Sequence, residues 1–140
     1  MSTATRITVT THIIKPIAQV WKCWTDPTHI TQWNAASDDW HCPKASIDLR
    51  TGGKFSSTMA ARDGSATFEF EGVLDDVQPN KRIAYTMADG RICEVLFEAE
   101  GNNTRVTESF DAETENSVEL QRGGWQAILD RFKAHAEVQN

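Results

Sequence analysis

Five turn signatures punctuate the middle of this chain: Thr51-Gly52-Gly53, Asp63-Gly64, Pro79-Asn80, Asp89-Gly90 and Gly101-Asn102-Asn103. Short runs that alternate apolar and polar residues separate them. Asp-Gly between alternating runs is a strong hairpin signal, because a two-residue turn needs backbone that glycine adopts without strain. Turns this close together also exclude parallel pairing, since a parallel crossover consumes a dozen residues or more. The spacing predicts strands over 44–50, 54–61, 66–77, 82–88, 91–99 and 104–111, joined as an antiparallel meander.

Helical periodicity flanks this meander. The β-branched run ITVTTHII (7–14) predicts one further strand. Pro16 then suits the first position of a helix, and Ile17, Val20, Trp21 and Trp24 make one apolar face of it. Asp26-Pro27 ends that helix and starts a second, with Asp26 as its cap and Ile30 and Trp33 on its buried side. Residues 34–43 show no period and are expected to be a loop. Near the C-terminus, Asn116 or Ser117 can cap a long helix reaching about Glu137. Its apolar stripe is Leu120, Trp125, Ile128, Leu129, Phe132 and Ala136. That helix contains adjacent glycines, Gly123 and Gly124. Two readings stand: a kink, or a close backbone approach with Trp125 beside it.

Strand, two short helices, six strands and a long helix make an α+β layer arrangement. The 140 residues suit a single domain over 1–140. A formal net charge of −6 leaves no basic footprint for nucleic acid. No apolar run approaches a membrane span, and MSTATRITVTTH lacks the apolar core of a signal peptide. Cys23, Cys42 and Cys93 are odd in number and far apart. They suggest free thiols in a reducing, cytoplasmic setting rather than a disulfide framework.

Five segments carry a resemblance. VWKCWTDPTHITQW (20–33), DLRTGGKF (48–55), FEFEGV (68–73), VQPNKRIAYT (77–86) and RGGWQAIL (122–129) resemble, in that order, the START-like helix-grip (SRPBCC) superfamily. Within it they are similar to the bacterial branch named as homologues of the activator of the heat-shock-protein-90 ATPase. The resemblance implies a curved antiparallel sheet of about seven strands wrapped around a long C-terminal helix, with two short helices after the first strand. It also implies a cavity between helix and sheet.

Alternation assigns residues to the face beneath the helix. Phe55, Ser57 and Met59 share it on one strand, and Phe68, Phe70 and Gly72 on the next. Ile83, Tyr85 and Met87 follow, then Cys93, Val95 and Phe97. Plain core is the simpler reading for most of them. If a cavity opens there, its walls are expected from Trp33, Phe55, Met59, Phe68, Phe70 and Tyr85. Met87, Val95, Trp125 and Leu129 would complete them, with Trp40 and His41 at the rim. Glu108 stands out because it alternates with Thr104, Val106 and Phe110. A buried carboxylate needs a partner or becomes neutral, and Tyr85 and Arg122 are the candidates. It is either a polar anchor in an apolar pocket or a residue that a strand end or bulge returns to solvent.

Other chemistry finds little support. Asp38, Asp39, His41 and Cys42 crowd potential metal ligands into one segment, but no zinc-type spacing occurs and His12, His29 and His135 are scattered. No metal and no cofactor are expected. Gly52-Gly53-Lys54 lacks the phosphate-loop spacing, and no nucleophile motif is present. The leading expectation is therefore a binding protein for a small hydrophobic or amphipathic molecule. One alternative is a cyclase- or dehydratase-like enzyme using Tyr85 and Glu108 as acid and base. The other is an interaction module with a protein partner or a second copy of itself.

Overall fold

The computed structural model describes residues 5–139. Residue 140 and the first four residues, which open the stretch considered for a signal peptide, lie outside them. The chain runs β1 (Arg6–Ile13), α1 (Ile17–Thr25), α2 (Pro27–Trp33), β2 (Trp40–Ile47), β3 (Lys54–Ala61), β4 (Thr67–Gln78), β5 (Arg82–Met87), β6 (Ile92–Glu100), β7 (Asn103–Asp111) and α3 (Val118–Glu137). All seven strands form one antiparallel sheet, in the order β1-β7-β6-β5-β4-β3-β2. This is the curled sheet and long helix of the helix-grip fold.

The five turn signatures hold. Each of those turns contains one residue in the left-handed region: Gly52, Gly64, Asn80, Gly90 and Gly101. Asn80 is the one that is not glycine, at φ 62°, and asparagine is among the residues that tolerate this region best.

Topology explains the two short helices. β1 and β2 lie at opposite edges of the sheet. Six strand spacings amount to about 29 Å if the sheet were flat. The sixteen helical residues of α1 and α2 extend about 24 Å, so they carry the chain across the curled face. Asp26 caps α2 through Thr28, 2.9 Å from its backbone N–H, and Pro27 opens the helix. Pro16 is the residue before α1 rather than its first turn, with extended backbone at ψ 151°.

The segment 34–43 departs from expectation. Trp40 to Pro43 belong to β2, which therefore begins four residues before Lys44. The pairing register shifts between His41 and Lys44, a bulge that accommodates Pro43 on an edge strand. That bulge erases the period on which a strand would be recognised.

The core follows the alternation. Ile7, Val9 and Ile13 of β1 are buried with Val106 and Phe110 of β7, and Val95 and Phe97 of β6. Trp24, Trp33 and Phe132 join the three helices, with ring centroids 4.7–5.0 Å apart. Ser117 caps α3 by accepting from the N–H of Leu120 at 3.1 Å. Leu120 itself is exposed and takes no part in the buried stripe.

α3 runs unbroken through Gly123 and Gly124. A Cβ built on either glycine meets nothing within 4 Å. The close-approach reading is thus corrected, and the helix is not broken at the pair. The close approaches are elsewhere. A Cβ at Gly53 would stand 1.9 Å from the Asp48 carbonyl oxygen, and one at Gly72 would stand 2.2 Å from that of Thr86.

Candidate functional site

α3 packs against β1 and the two short helices, and so covers only one side of the curled sheet. A cavity of about 500 Å³ opens between the helices and strands β3, β4 and β5. Of the residues assigned to it by alternation and resemblance, Trp33, Phe55, Met59, Phe68, Phe70 and Tyr85 line it. So do Met87, Glu108 and Trp125.

Three others do not line it. Val95 and Leu129 are fully buried in the packed seam on the β1 side of the cavity. Val95 lies on the face that alternation assigns and Leu129 on the apolar stripe of α3, but the helix meets the sheet there. Trp40 stands on the edge strand outside the lining, edge-on to Phe68 at 5.8 Å. Phe68 is half exposed and marks the open side. Ser57, Leu74, Ile83 and Ile128 also line the cavity. Alternation signals the first three, and the spacing i, i+3 from Trp125 signals Ile128. Trp24, Ile30 and Arg91 are lining residues as well; helical period marks the first two as inward-facing, and no sequence pattern points to Arg91.

The walls are largely aromatic. Phe55 packs edge-on against Tyr85 at 4.8 Å, and Phe70 against Trp125 at 6.1 Å. Gly72 permits this arrangement, since its Cβ would come within 3.0 Å of the Phe55 ring. Trp125 stacks flat on Phe110, at 3.7 Å between centroids.

Glu108 is the polar exception inside. It pairs with Val9 on one side and Val95 on the other, so apolar backbone neighbours enclose it. Its side chain is 5% exposed, which rules out escape to solvent at a strand end. The β6–β7 and β1–β7 registers run without a bulge at this position. Arg122 is not its partner; that guanidinium pairs with Glu119 at 2.6 Å. Cys93 faces it, with Sγ 4.0 Å from Oε2. Burial without a cation raises the Glu108 pKa to about 8, so the carboxyl is largely protonated at neutral pH. Burial also pushes the Tyr85 phenol well above its ordinary range, with Cys93 and Glu108 adding to the effect. The Cys93 thiol is raised for the same reason, with Glu108 second. The site therefore offers neutral hydrogen-bonding groups in an apolar wall.

The segment at Asp38–Cys42 gathers no ligand set. His41 is part-exposed, whereas Cys42 is buried with its thiol donating to the Lys44 carbonyl at 3.4 Å. Asp38 is turned outward to Arg131. By contrast His29 and His135, far apart in sequence, meet with ring nitrogens 2.8 Å apart.

A curled sheet gripping a C-terminal helix around an aromatic cavity defines the class: a START-like helix-grip protein. Residues 15–137 match the family described as Activator of Hsp90 ATPase homolog 1-like protein, and the chain belongs to that family. It is similar to the AHSA1-like protein of Aeromonas hydrophila, with 42% identity over 97% of this chain and 98% of that one, at a TM-score of 0.89. A solved protein of Cytophaga hutchinsonii is 48% identical over 94% of this chain and 92% of its own, at 0.83. A protein of Nitrosomonas europaea shares the fold at 18% identity, covering 96% of both chains with a TM-score of 0.81. The comparison with curated proteins gave no match. Among the described residues, no helix is long and apolar enough to cross a membrane.

Proposed function

We propose that the chain binds a small, uncharged, apolar or amphipathic molecule between α3 and strands β3–β5. The observation that carries this reading is Glu108, a protonated carboxyl inside an aromatic cavity of about 500 Å³. A cavity of that size, mainly apolar with a few polar groups, is the usual form of a small-molecule site. A neutral carboxyl donates one hydrogen bond and accepts others, so it suits a carbonyl or hydroxyl on the ligand. An anionic group would instead have to leave water for a mainly apolar wall, which is costly.

Thermal shift against fatty acids, sterols, flavonoids and aromatic polyketides tests the reading. A ligand present at a hundredfold excess over its dissociation constant stabilises by about 2.7 kcal/mol. At least one saturable hit is expected, lost in Phe70→Trp, where the larger ring intrudes on the cavity. Ser57→Leu fills the same space from β3 and serves if Phe70→Trp folds poorly. No hit, or hits unchanged in both variants, would overturn the proposal.

One observation favours a second reading, catalysis. Glu108 titrates near operating pH and shares the cavity with Tyr85, as an acid–base pair requires. In that case Glu108→Gln retains ligand binding but loses turnover of the same ligand. Pure binding leaves the ligand unaltered by either protein.

A further inference from the structure

One cluster of side chains lies outside the cavity and has no part in the function proposed above. Cys23 on α1, His29 on α2 and His135 on α3 each bring one potential ligand atom into the same small region. All three atoms lie within 4.8 Å of one another. Cys23 is buried and the two histidines are half-buried, so the point is closed on the protein side and reachable from outside.

We propose that Cys23, His29 and His135 form a site for a single zinc-type metal ion that ties the three helices together. The donor set supports this. One thiolate and two imidazoles suit a borderline ion, with a fourth position left to water. The distances support it too. Tetrahedral zinc, with Zn–N near 2.0 Å and Zn–S near 2.3 Å, separates its ligand atoms by about 3.3–3.6 Å. The His29 Nδ1 to His135 Nε2 distance is 2.8 Å, held by a proton between them. Exchanging that proton for a metal ion needs the rings to part by roughly half an ångström, using the bond lengths above. Burial pushes the Cys23 thiol up, so a metal ion bound there would have to displace its proton. The surroundings are rigid: the Trp33 indole donates to the Cys23 carbonyl at 3.0 Å, and Trp24, Trp33 and Phe132 pack beside it. Gln139 reaches the outer face of His135, donating to its carbonyl at 3.0 Å with its amide 3.5 Å from Nδ1.

The spacing in sequence hides this site. Cys23 and His29 are six apart and on different helices, and His135 follows 106 residues later.

The test is cobalt titration of the full chain, purified reduced and without an affinity tag. The expected result is one equivalent of Co²⁺ bound, with the thiolate charge-transfer band and tetrahedral ligand-field bands, both displaced by Zn²⁺. Cys23→Ser should abolish the charge-transfer band. His29→Gln and His135→Gln should each weaken binding at least tenfold. Cys42→Ser and Cys93→Ser should leave it unchanged. Circular dichroism of each variant checks the fold, and the two half-buried histidines carry the test if Cys23→Ser fails to fold. Absence of saturable binding by the folded protein would overturn the proposal, as would binding without the thiolate band.

Discussion

Trp125 of α3 lies flat on Phe110 of β7, with ring centroids 3.7 Å apart and planes 13° from parallel. The pair closes the cavity on one side and the core on the other. Trp125 lines the cavity, and Phe110 is fully buried. The stack therefore fixes how far α3 stands from the sheet, and hence the space left over strands β3 to β5.

Trp125→Ala should remove both the stack and part of the cavity wall. Aromatic pairs contribute about 0.5–1.5 kcal/mol beyond area burial, and Trp125 is only partly buried, so a loss of about 2–3 kcal/mol is expected. Trp125→Phe should recover most of it. Urea denaturation measures both. A loss below about 0.5 kcal/mol, the level of an ordinary surface substitution, would show that α3 is held elsewhere.

Two glycine substitutions should have opposite signs. Gly124→Ala adds a methyl group to open space on a continuous helix, and should stabilise by up to about 1 kcal/mol. Gly72→Ala forces a Cβ against the Thr86 carbonyl oxygen and the Phe55 ring, and should destabilise by about 1–3 kcal/mol. Denaturation midpoints of the two variants give the comparison directly. Destabilisation by Gly124→Ala would point to a backbone contact absent from this structure.

Stability should depend on pH through Glu108. Its folded pKa, about 8, is raised above the ordinary carboxylate value of 4.5. Between these values the folded state holds a proton that the unfolded state has released. Stability from this group is thus fully present below pH 4.5 and declines as pH rises, by up to about 1.4 kcal/mol per unit, levelling off above pH 8. Glu108→Gln removes the dependence. The difference in unfolding free energy between the two proteins, followed from pH 5 to 8.5, should grow steadily in favour of glutamine. His135 titrates in the opposite sense, but it is common to both proteins and cancels in that difference. Parallel profiles would mean that Glu108 has a cation or water access that lowers its pKa.

Cavity-filling substitutions should separate stability from binding. Ser57→Leu places apolar volume where a buried hydroxyl now lines the cavity. It should leave the unfolding free energy within about 1 kcal/mol of the parent while abolishing any ligand-induced rise in melting temperature. Val95→Trp makes a useful contrast. Val95 is fully buried in closed core, so overpacking there should cost about 1–3 kcal/mol or more whether or not ligand is present.

The turns and the periods were legible in the sequence because both are local properties. A left-handed residue in each of the five turns fixes where strands reverse, and alternation fixes which face each residue takes. That was enough to place Phe55, Phe70 and Tyr85 on one face and to turn Glu108 inward with Phe110. Where local order breaks, the sequence misleads. The bulge at His41–Lys44 hid the start of β2, and the glycine pair in α3 suggested a close contact that does not exist.

The tertiary structure alone decided where helix and sheet touch. Val95 and Tyr85 carry the same period-two signal on adjacent strands. One is sealed beneath the packed seam, and the other faces the cavity, because α3 sits toward β1 and leaves β3 to β5 uncovered. That offset is set by the stack of Trp125 on Phe110 and by the meeting of Trp24 and Trp33 with Phe132. The convergence of Cys23, His29 and His135 has the same origin. Three helices brought together by those aromatic rings also bring together side chains that no spacing connects, since chain distance carries no information about which helix ends a folded core will juxtapose.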